Sequence, residues 1–243
     1  MKLFVGWDVG GWHCDRNRES RDALVVLQLN AEFKPVVAGK AWRGSLRPVL
    51  AAHRGDALMR EMLRLCDVDI SETAEIMIAI DAPLGWPSSM LSLANGGGIA
   101  EISDKDDGNV YTRRATELDL IRQGFSPLSS VRDMIGSQST KAIHFLRAAG
   151  LTSQSGAVWS DGRVSAIETY PAVALKSAQC GNLHKPLFQN LLARQAVTSP
   201  AMADVRDALA CAVVAYLAVE NPSSVAQPPA DYPDLEGWII VPK

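Results

Sequence analysis

The sequence predicts an α/β domain in which a central mixed sheet of five strands is flanked by helices, with an insertion after the fourth strand. Apolar runs of strand length and amphipathic or apolar runs of helix length both occur along the chain, which is typical of this fold class. The 243 residues are 47% hydrophobic and 21% charged, a composition that suits a packed interior. We therefore expect a single domain over residues 1–243.

The first three strands are predicted over residues 3–9, 23–29 and 36–42. The first of them ends in Asp8, Val9, Gly10 and Gly11, and the other two are rich in valine and are separated by a turn-like stretch. Strands that follow one another at such short spacing favour an antiparallel meander.

A helix and a fourth strand are predicted next. Residues 45–66 carry apolar side chains at helical spacing among charged ones, which predicts an amphipathic helix with a break near Gly55. The apolar run at residues 75–81 shows no alternation, so it indicates a strand buried on both faces. This strand also ends on an aspartate, Asp81.

An insertion is predicted over about residues 86–140, where the apolar periodicity is lost. It contains three consecutive glycines at 96–98 and a charged run at 104–107. Since the glycines follow no strand and precede no G-K-[ST] sequence, a flexible lid is a better interpretation than a phosphate loop.

After the insertion the pattern predicts mostly helices. A helix that begins near residue 199 is apolar on every face after Asp207, which indicates that it is buried. The other predicted elements are a helix over 141–149, a fifth strand over 164–169, and helices over 171–178 and 186–196, with 237–241 as a candidate closing strand in addition to these five.

Charge and cysteine content exclude several classes of protein. A formal net charge of -3 argues against a strongly basic domain that coats nucleic acid. The four cysteines have no C-x-x-C spacing, so they indicate neither a disulfide scaffold nor a thiolate zinc site. The N-terminal residues read as neither a signal peptide nor a membrane span, so we expect a cytoplasmic protein without a membrane partner.

Five acidic residues stand where ordinary packing would not place them: Asp8, Asp81, Glu168, Asp204 and Asp207. A buried charge is costly unless it is paired or metal-bound. Parallel neighbouring strands share their carboxyl edge, so Asp8 and Asp81 can converge, and Asp204 and Asp207 lie on one face of a helix. Carboxylate oxygens suit Mg²⁺ or Mn²⁺. We therefore predict that all five are catalytic, with Asp8, Asp81 and Asp207 as the metal ligands.

Four of these acids also have a structural alternative. Asp8 and Asp81 precede glycine or proline and can be turn formers. Asp204 and Asp207 lie early in a helix, where the dipole favours negative charge. A purely structural explanation is reasonable for any one of these acids, but it is less expected to hold for all four in the same chain.

Arg113 and Arg114 are the candidate ligands for a substrate phosphate, because guanidinium groups bind phosphate with two hydrogen bonds. The alternative is a solvated helix face on which they pair with Glu117 and Asp119.

The order of these elements, together with the D-x-x-D-A-L-A sequence that begins at Asp204, resembles the ribonuclease H-like superfamily and its RuvC-type Holliday-junction resolvases. The sequences IDAPLGWP at 80–87, YTRRATE at 111–117, IETYP at 167–171 and DALACA at 207–212 are similar to the domain of unknown function 429 family, a bacterial and archaeal group predicted to be ribonuclease H-like nucleases. The resemblance covers most of the chain. It implies a ribonuclease H-like fold and metal-dependent nuclease activity, although Asp81 stands where the resolvases have glutamate.

Three functions remain open at this point. The first is a metal-dependent nuclease or phosphodiesterase that acts on nucleic acid or on a phosphorylated small molecule. The second is a nucleotide-binding or phosphotransfer protein of actin-like fold, because Asp8, Val9, Gly10 and Gly11 also resemble the phosphate loop of that group. The third is a non-catalytic binding module.

Overall fold

The computed structural model describes residues 1–102, 108–154 and 157–243. It contains one mixed sheet of seven strands in the order β3-β2-β1-β4-β7-β6-β5, flanked by helices, which confirms the α/β class. The strands are β1 (Lys2–Asp8), β2 (Asp22–Leu29), β3 (Pro35–Gly44), β4 (Glu75–Asp81), β5 (Thr152–Ser153), β6 (Trp159–Ser160) and β7 (Val164–Glu168).

The sheet has two halves of different construction. Strands β1, β2 and β3 form the predicted antiparallel meander. On the other side of β1, strands β4 and β7 run parallel to it. The prediction of five strands was wrong, because β5 and β6 extend the sheet beyond β7 by antiparallel pairing. Two-residue strands are too short to show any hydrophobic period.

Eight α-helices lie within the described residues. The break near Gly55 is confirmed, since one helix ends before it and the next begins on it. The helix predicted from residue 186 in fact begins at Ala178 and carries Pro186 in its interior. The helices are α1 (Arg47–Ala52), α2 (Gly55–Arg64), α3 (Ser88–Ala94), α4 (Ala115–Arg122), α5 (Gly136–Ala148), α6 (Pro171–Ala174), α7 (Ala178–Arg194) and α8 (Ala201–Glu220).

The helices cover both faces of the sheet. One core packs α2 and α5 against side chains such as Val5 and Ile78. The other packs α8 against Phe4 and Ala79, which point to the opposite face. Helix α8 is buried along most of its length, as its uniformly apolar sequence predicts.

In the described part of the insertion lie the helices α3, where the sequence predicts no regular element, and α4, where it offers a solvated helix face as an alternative. Glu236, near the C-terminus, holds both of them. Its two oxygens accept hydrogen bonds from the backbone N–H of Ser88 at 2.7 Å and of Ala115 at 2.8 Å, the first residues of α3 and α4. A carboxylate at helix N-termini is favourable because the N–H groups there lack partners in the helix. The charged run at 104–107 lies outside the described residues.

The predicted closing strand at 237–241 is reduced to an isolated bridge, in which Ile239 pairs in parallel with Glu168.

None of the helices in the described part of the chain combines the length and the apolarity that a membrane crossing requires.

Candidate active site

Asp8 and Asp81 are direct partners across the β1–β4 pair. Each is the last residue of its strand, and neighbouring strands lie about 4.8 Å apart, so the two carboxylates stand side by side at the carboxyl edge of the sheet. Every second residue of a strand points to the same face of the sheet. Asp8 lies two residues after Gly6 on β1, and Asp81 lies two residues after Ala79 on β4, so both aspartates lie on the face that packs against α8. The sequence prediction that these two strands are parallel neighbours is therefore confirmed.

Gly6 allows α8 to approach this edge. A Cβ atom on Gly6 would lie 1.8 Å from the carbonyl oxygen of Ala208 and 2.3 Å from the backbone nitrogen of Ala212. Only a residue without a side chain fits between strand and helix at this separation. Asp207 is adjacent to Ala208, so the close packing brings its carboxylate towards Asp8 and Asp81.

The two helix acids have different partners. Asp204 is buried, and its Oδ2 accepts hydrogen bonds from Arg43 Nε at 2.6 Å and from the backbone N–H of Arg21 at 3.0 Å. Asp207 is partly exposed, and both its oxygens accept from its half-exposed neighbour Arg206, at 2.9 and 3.3 Å. Asp204 therefore ties α8 to β3, whereas the partner of Asp207 is its own neighbour on the surface.

The crowding of the acids raises the pKa of two of them, Asp8 and Asp81. Burial, and then the charges of Asp81, Asp204 and Asp207, hold the pKa of Asp8 well above its ordinary range. Burial, and then Asp207 and Glu168, raise the pKa of Asp81 to about 8. A cluster of this kind is stabilised by a proton or by a cation.

A cleft of about 210 Å³ opens beside Asp8 and Asp81. Glu168, Arg114 and Tyr170 reach it from the carboxyl end of β7 and from the insertion. Burial and the nearby charge of Asp81 raise the pKa of Tyr170. The remaining wall mixes apolar and polar side chains, and it comes from the segments that follow Asp8 and Asp81, from the insertion and from Ile239 in the C-terminal tail.

Glu168 is locked in place by Arg114. The two terminal nitrogens of Arg114 donate to the two oxygens of Glu168, at 2.6 and 2.8 Å, and its Nε donates to Glu117 at 2.8 Å. The backbone N–H of Leu84 also donates to Glu168, at 2.9 Å. Arg114 and Glu117 are fully buried and Glu168 almost so. The guanidinium thus ties the insertion to β7.

The structure does not bring Arg113 into the lining of the cleft. Its side chain is buried, donates to the carbonyl of Pro127 at 2.8 Å and lies 3.6 Å from Asp133. Arg114 does line the cleft, but its three nitrogens are used by Glu117, Glu168 and the carbonyl of Glu236.

No family model, no curated protein and no solved structure matches this chain.

Sequence reasoning missed a buried ion pair beneath the loop that follows Asp8. Lys141 contacts Asp22, and neither side chain is exposed. Lys141 also donates to the carbonyls of Gly10 and Gly11 at 3.1 and 3.2 Å, while Asp22 accepts from the N–H of Gly10 at 3.0 Å. A lysine on an amphipathic helix gives no local signal of burial, and its partner lies 119 residues away.

Carboxylate oxygens are suitable ligands for a hard cation such as Mg²⁺, but the side chains of these acids do not converge as a complete ligand set. Within the described ranges, no group of three or more histidine, cysteine, aspartate or glutamate side chains converges in a way that could hold a metal ion. Mg²⁺ is commonly bound by only one or two carboxylates, with water and substrate phosphate as its other ligands. Asp8 and Asp81 meet that smaller requirement, and Asp207 would have to turn away from Arg206 to join them.

Proposed function

We propose that this chain is a metal-dependent phosphodiesterase or nuclease of ribonuclease H-like fold. The observation that carries the proposal is the pairing of Asp8 with Asp81 at the carboxyl ends of adjacent parallel strands, in a cleft and within the electrostatic reach of Asp207. Two partly buried carboxylates side by side are unfavourable unless a cation or a proton offsets their charge.

The proposed fold is supported by the arrangement of the sheet. A meander of β1, β2 and β3 is followed by β4 on the other side of β1, and the long helix α8 packs on β1, β2 and β4. This is the order of elements on which the resemblance to ribonuclease H-like proteins rests. The extra strands β5 and β6 lie beyond β7, away from Asp8 and Asp81.

In the proposed reaction, water adds across a P–O bond and the leaving oxygen takes up a proton. A divalent cation bound here would polarise the phosphate and lower the pKa of the attacking water. Asp8 and Asp81 would hold that cation, and Asp207 would complete the set. Glu168 and Asp204 would position the site rather than bind the cation, because both oxygens of Glu168 accept from Arg114 and Oδ2 of Asp204 accepts from Arg43.

The phosphotransfer alternative is less well supported. A phosphate loop binds its ligand through free backbone N–H groups. Here the N–H of Gly10 donates to Asp22, and that of Trp12 donates to Ser137 at 2.9 Å. Lys141 holds the carbonyls of Gly10 and Gly11. The loop is therefore tied to the interior by both kinds of backbone group.

The test is hydrolysis of a simple phosphodiester, bis(p-nitrophenyl) phosphate, and of a single-stranded oligonucleotide with Mn²⁺ or Mg²⁺. Asp8→Asn and Asp81→Asn should each abolish metal-dependent hydrolysis and weaken Mn²⁺ binding in calorimetry. Asp69→Asn, a change at an exposed acid remote from the cleft, should leave both unchanged. Full activity in Asp8→Asn and Asp81→Asn, or activity that survives EDTA, would overturn the proposal.

A further inference from the structure

Helix α8 runs antiparallel to β1, and its first turns lie level with Asp8. The contacts between strand and helix follow a regular order: Lys2 with Glu220 at 2.9 Å, Phe4 with Tyr216 at 5.3 Å between ring centroids, and Gly6 with Ala212 and Ala208. Two strand residues span about 6.6 Å and four helix residues about 6 Å, so the two elements stay in step. Asp8, two residues after Gly6, is therefore level with residues 204–208, which include Arg206 and Asp207.

Arg206 offers one edge of its guanidinium group to Asp207. Its Nε donates to one carboxylate oxygen at 2.9 Å and its Nη2 to the other at 3.3 Å, and the side chain is half exposed. The backbone carbonyl of Arg206 lies 3.0 Å from Nε2 of His184, a buried residue of α7. The backbone at this position is therefore fixed, while the charged end of the side chain stays accessible.

Other arginine side chains near the acids are held by buried groups. Arg114 is fully buried and binds two carboxylates, Arg113 donates to a backbone carbonyl, and Arg43 pairs with the buried Asp204. If one of these side chains turned away, it would leave a buried group without its partner, which is costly. Arg206 differs because its partner is partly exposed, and surface ion pairs of this kind are weak. Arg206 can therefore exchange this partner for another anion.

Asp207 would leave Arg206 if it joined Asp8 and Asp81 around a cation. The two donors that it releases, Nε and Nη2, can bind two oxygens of a phosphate as they bind two oxygens of a carboxylate. A phosphodiester is an anion, so the acids repel it unless positive charge faces it. Hydrogen bonding to Asp207 and its charge, and then the charge of Asp8, raise the pKa of Arg206, so this cation is within the electrostatic reach of the acid at the strand end.

We propose that Arg206 binds the phosphate group of the substrate, from the α8 side of the acids, once Asp207 has released it. This inference rests on the proposed function for the identity of the ligand, a phosphodiester. It assigns to Arg206 the role that the sequence suggested for Arg113 and Arg114. The binding of metal and of phosphate should strengthen each other, because both require Asp207 and Arg206 to separate.

The first test needs no metal. Dimethyl phosphate, a phosphodiester without a sugar or a base, is titrated in EDTA and followed by NMR. Asp207→Ala frees the guanidinium, so this variant should bind the probe at least fivefold more tightly than the native chain. Adding Arg206→Gln should remove the gain, and adding Arg206→Lys should leave only part of it, since an ammonium group cannot make the paired hydrogen bonds. A gain that survives Arg206→Gln would show that Asp207 merely repels the probe, and it would overturn the proposal.

The second test adds metal. With Mg²⁺, Arg206→Gln should weaken dimethyl phosphate binding at least fivefold and raise the KM for bis(p-nitrophenyl) phosphate by a similar factor, while Mn²⁺ affinity in calorimetry does not fall. Arg64→Gln is the matched control, because Arg64 is an exposed arginine of α2 that also pairs with an acid, and it should change none of these. The melting temperature of each variant checks that it is folded.

The outcomes separate this proposal from the proposed function. An Arg206→Gln variant that binds dimethyl phosphate and hydrolyses the diester with native constants would overturn the role of Arg206. A loss of Mn²⁺ affinity in the same variant would assign Arg206 to the support of Asp207 and would overturn it too. Phosphate binding that depends on Arg206, without hydrolysis by the native chain, would keep the phosphate ligand and reject the proposed function.

Discussion

Arg114 donates to both oxygens of Glu168 from 54 residues away, and neither side chain is more than 2% exposed. The pair joins the insertion to the end of β7, beside the cleft. Arg114 also donates to the carbonyl of Glu236, whose side chain holds the first residues of α3 and α4. One guanidinium therefore connects three distant segments, so its removal should affect both stability and the cleft.

Arg114→Met should destabilise the protein by about 3–5 kcal/mol, because it leaves two carboxylates buried without their partner. Arg114→Lys keeps the charge but cannot bind Glu117 and Glu168 together in the same planar geometry, so it should recover only part of the loss. Urea denaturation measures both variants. Arg122→Met, at an exposed arginine on α4, serves as the control and should change little. A native-like stability of Arg114→Met would show that the network is not needed for folding.

Gly6→Ala tests the contact between β1 and α8. The added methyl would overlap the Ala208 carbonyl at 1.8 Å, so α8 must shift, and we expect a loss of about 1–3 kcal/mol or more. Metal affinity should fall as well, since Asp207 moves with α8. Gly181→Ala is the matched control, because its new methyl would meet no atom within 4 Å and alanine favours a helix. Equal stability of the two variants would contradict the close packing.

The pKa of Asp81 predicts how the metal-free protein responds to pH. Folding raises this pKa from 3.8 to about 8, so between these values the folded state binds more protons than the unfolded chain. Stability should therefore fall as pH rises from about 4 to 8. Asp81→Asn should flatten this slope, and Mn²⁺ should restore stability at pH 8. Denaturation in EDTA across this range is the measurement, and a stability that rises with pH in the native chain would contradict it.

The buried pair of Lys141 and Asp22 should also contribute to stability. Lys141→Met removes the charge that holds the carbonyls of Gly10 and Gly11 and leaves Asp22 unpaired, at a cost of about 3–5 kcal/mol. The double variant Lys141→Met, Asp22→Asn should recover part of that loss, because no unpaired charge remains and the asparagine oxygen can still accept from Trp7 and Gly10. A double variant less stable than Lys141→Met alone would contradict this account. The single variant and the double variant should both have reduced activity, because each loosens the loop after Asp8.

The sequence predicts the elements that carry strong local signals. Strand β4 was predicted with its observed bounds because its apolar run lies between two acidic residues, Glu75 and Asp81. The convergence of Asp8 with Asp81 follows from the parallel pairing of their strands alone. Helix α3 was missed because it is short and has little apolar periodicity, and α4 was considered only as a solvated helix face, the alternative to a phosphate site at Arg113 and Arg114. The partners of Glu168 and Asp204 were missed because they lie 54 and 161 residues away, and no local pattern reports such pairs.

The role of Asp207 distinguishes a metal ligand from an acid that serves only to pair with Arg206. Asp207→Asn keeps the volume of the side chain and removes its charge. If Asp207 joins Asp8 and Asp81 around a cation, the variant should bind Mn²⁺ at least tenfold more weakly in calorimetry and lose metal-dependent hydrolysis. Its stability without metal should not fall, since removal of one carboxylate relieves repulsion on Asp8 and Asp81.

The pair with Arg206 provides the contrasting outcome. Arg206 is half exposed, and a surface pair of this kind contributes about 0–1 kcal/mol. Arg206→Gln therefore removes the same ion pair while leaving the carboxylate free, and it should keep or increase Mn²⁺ affinity. If Asp207→Asn and Arg206→Gln instead lower the metal-free melting temperature equally and leave Mn²⁺ binding untouched, Asp207 is a structural acid. The metal site would then have to rest on Asp8 and Asp81 alone.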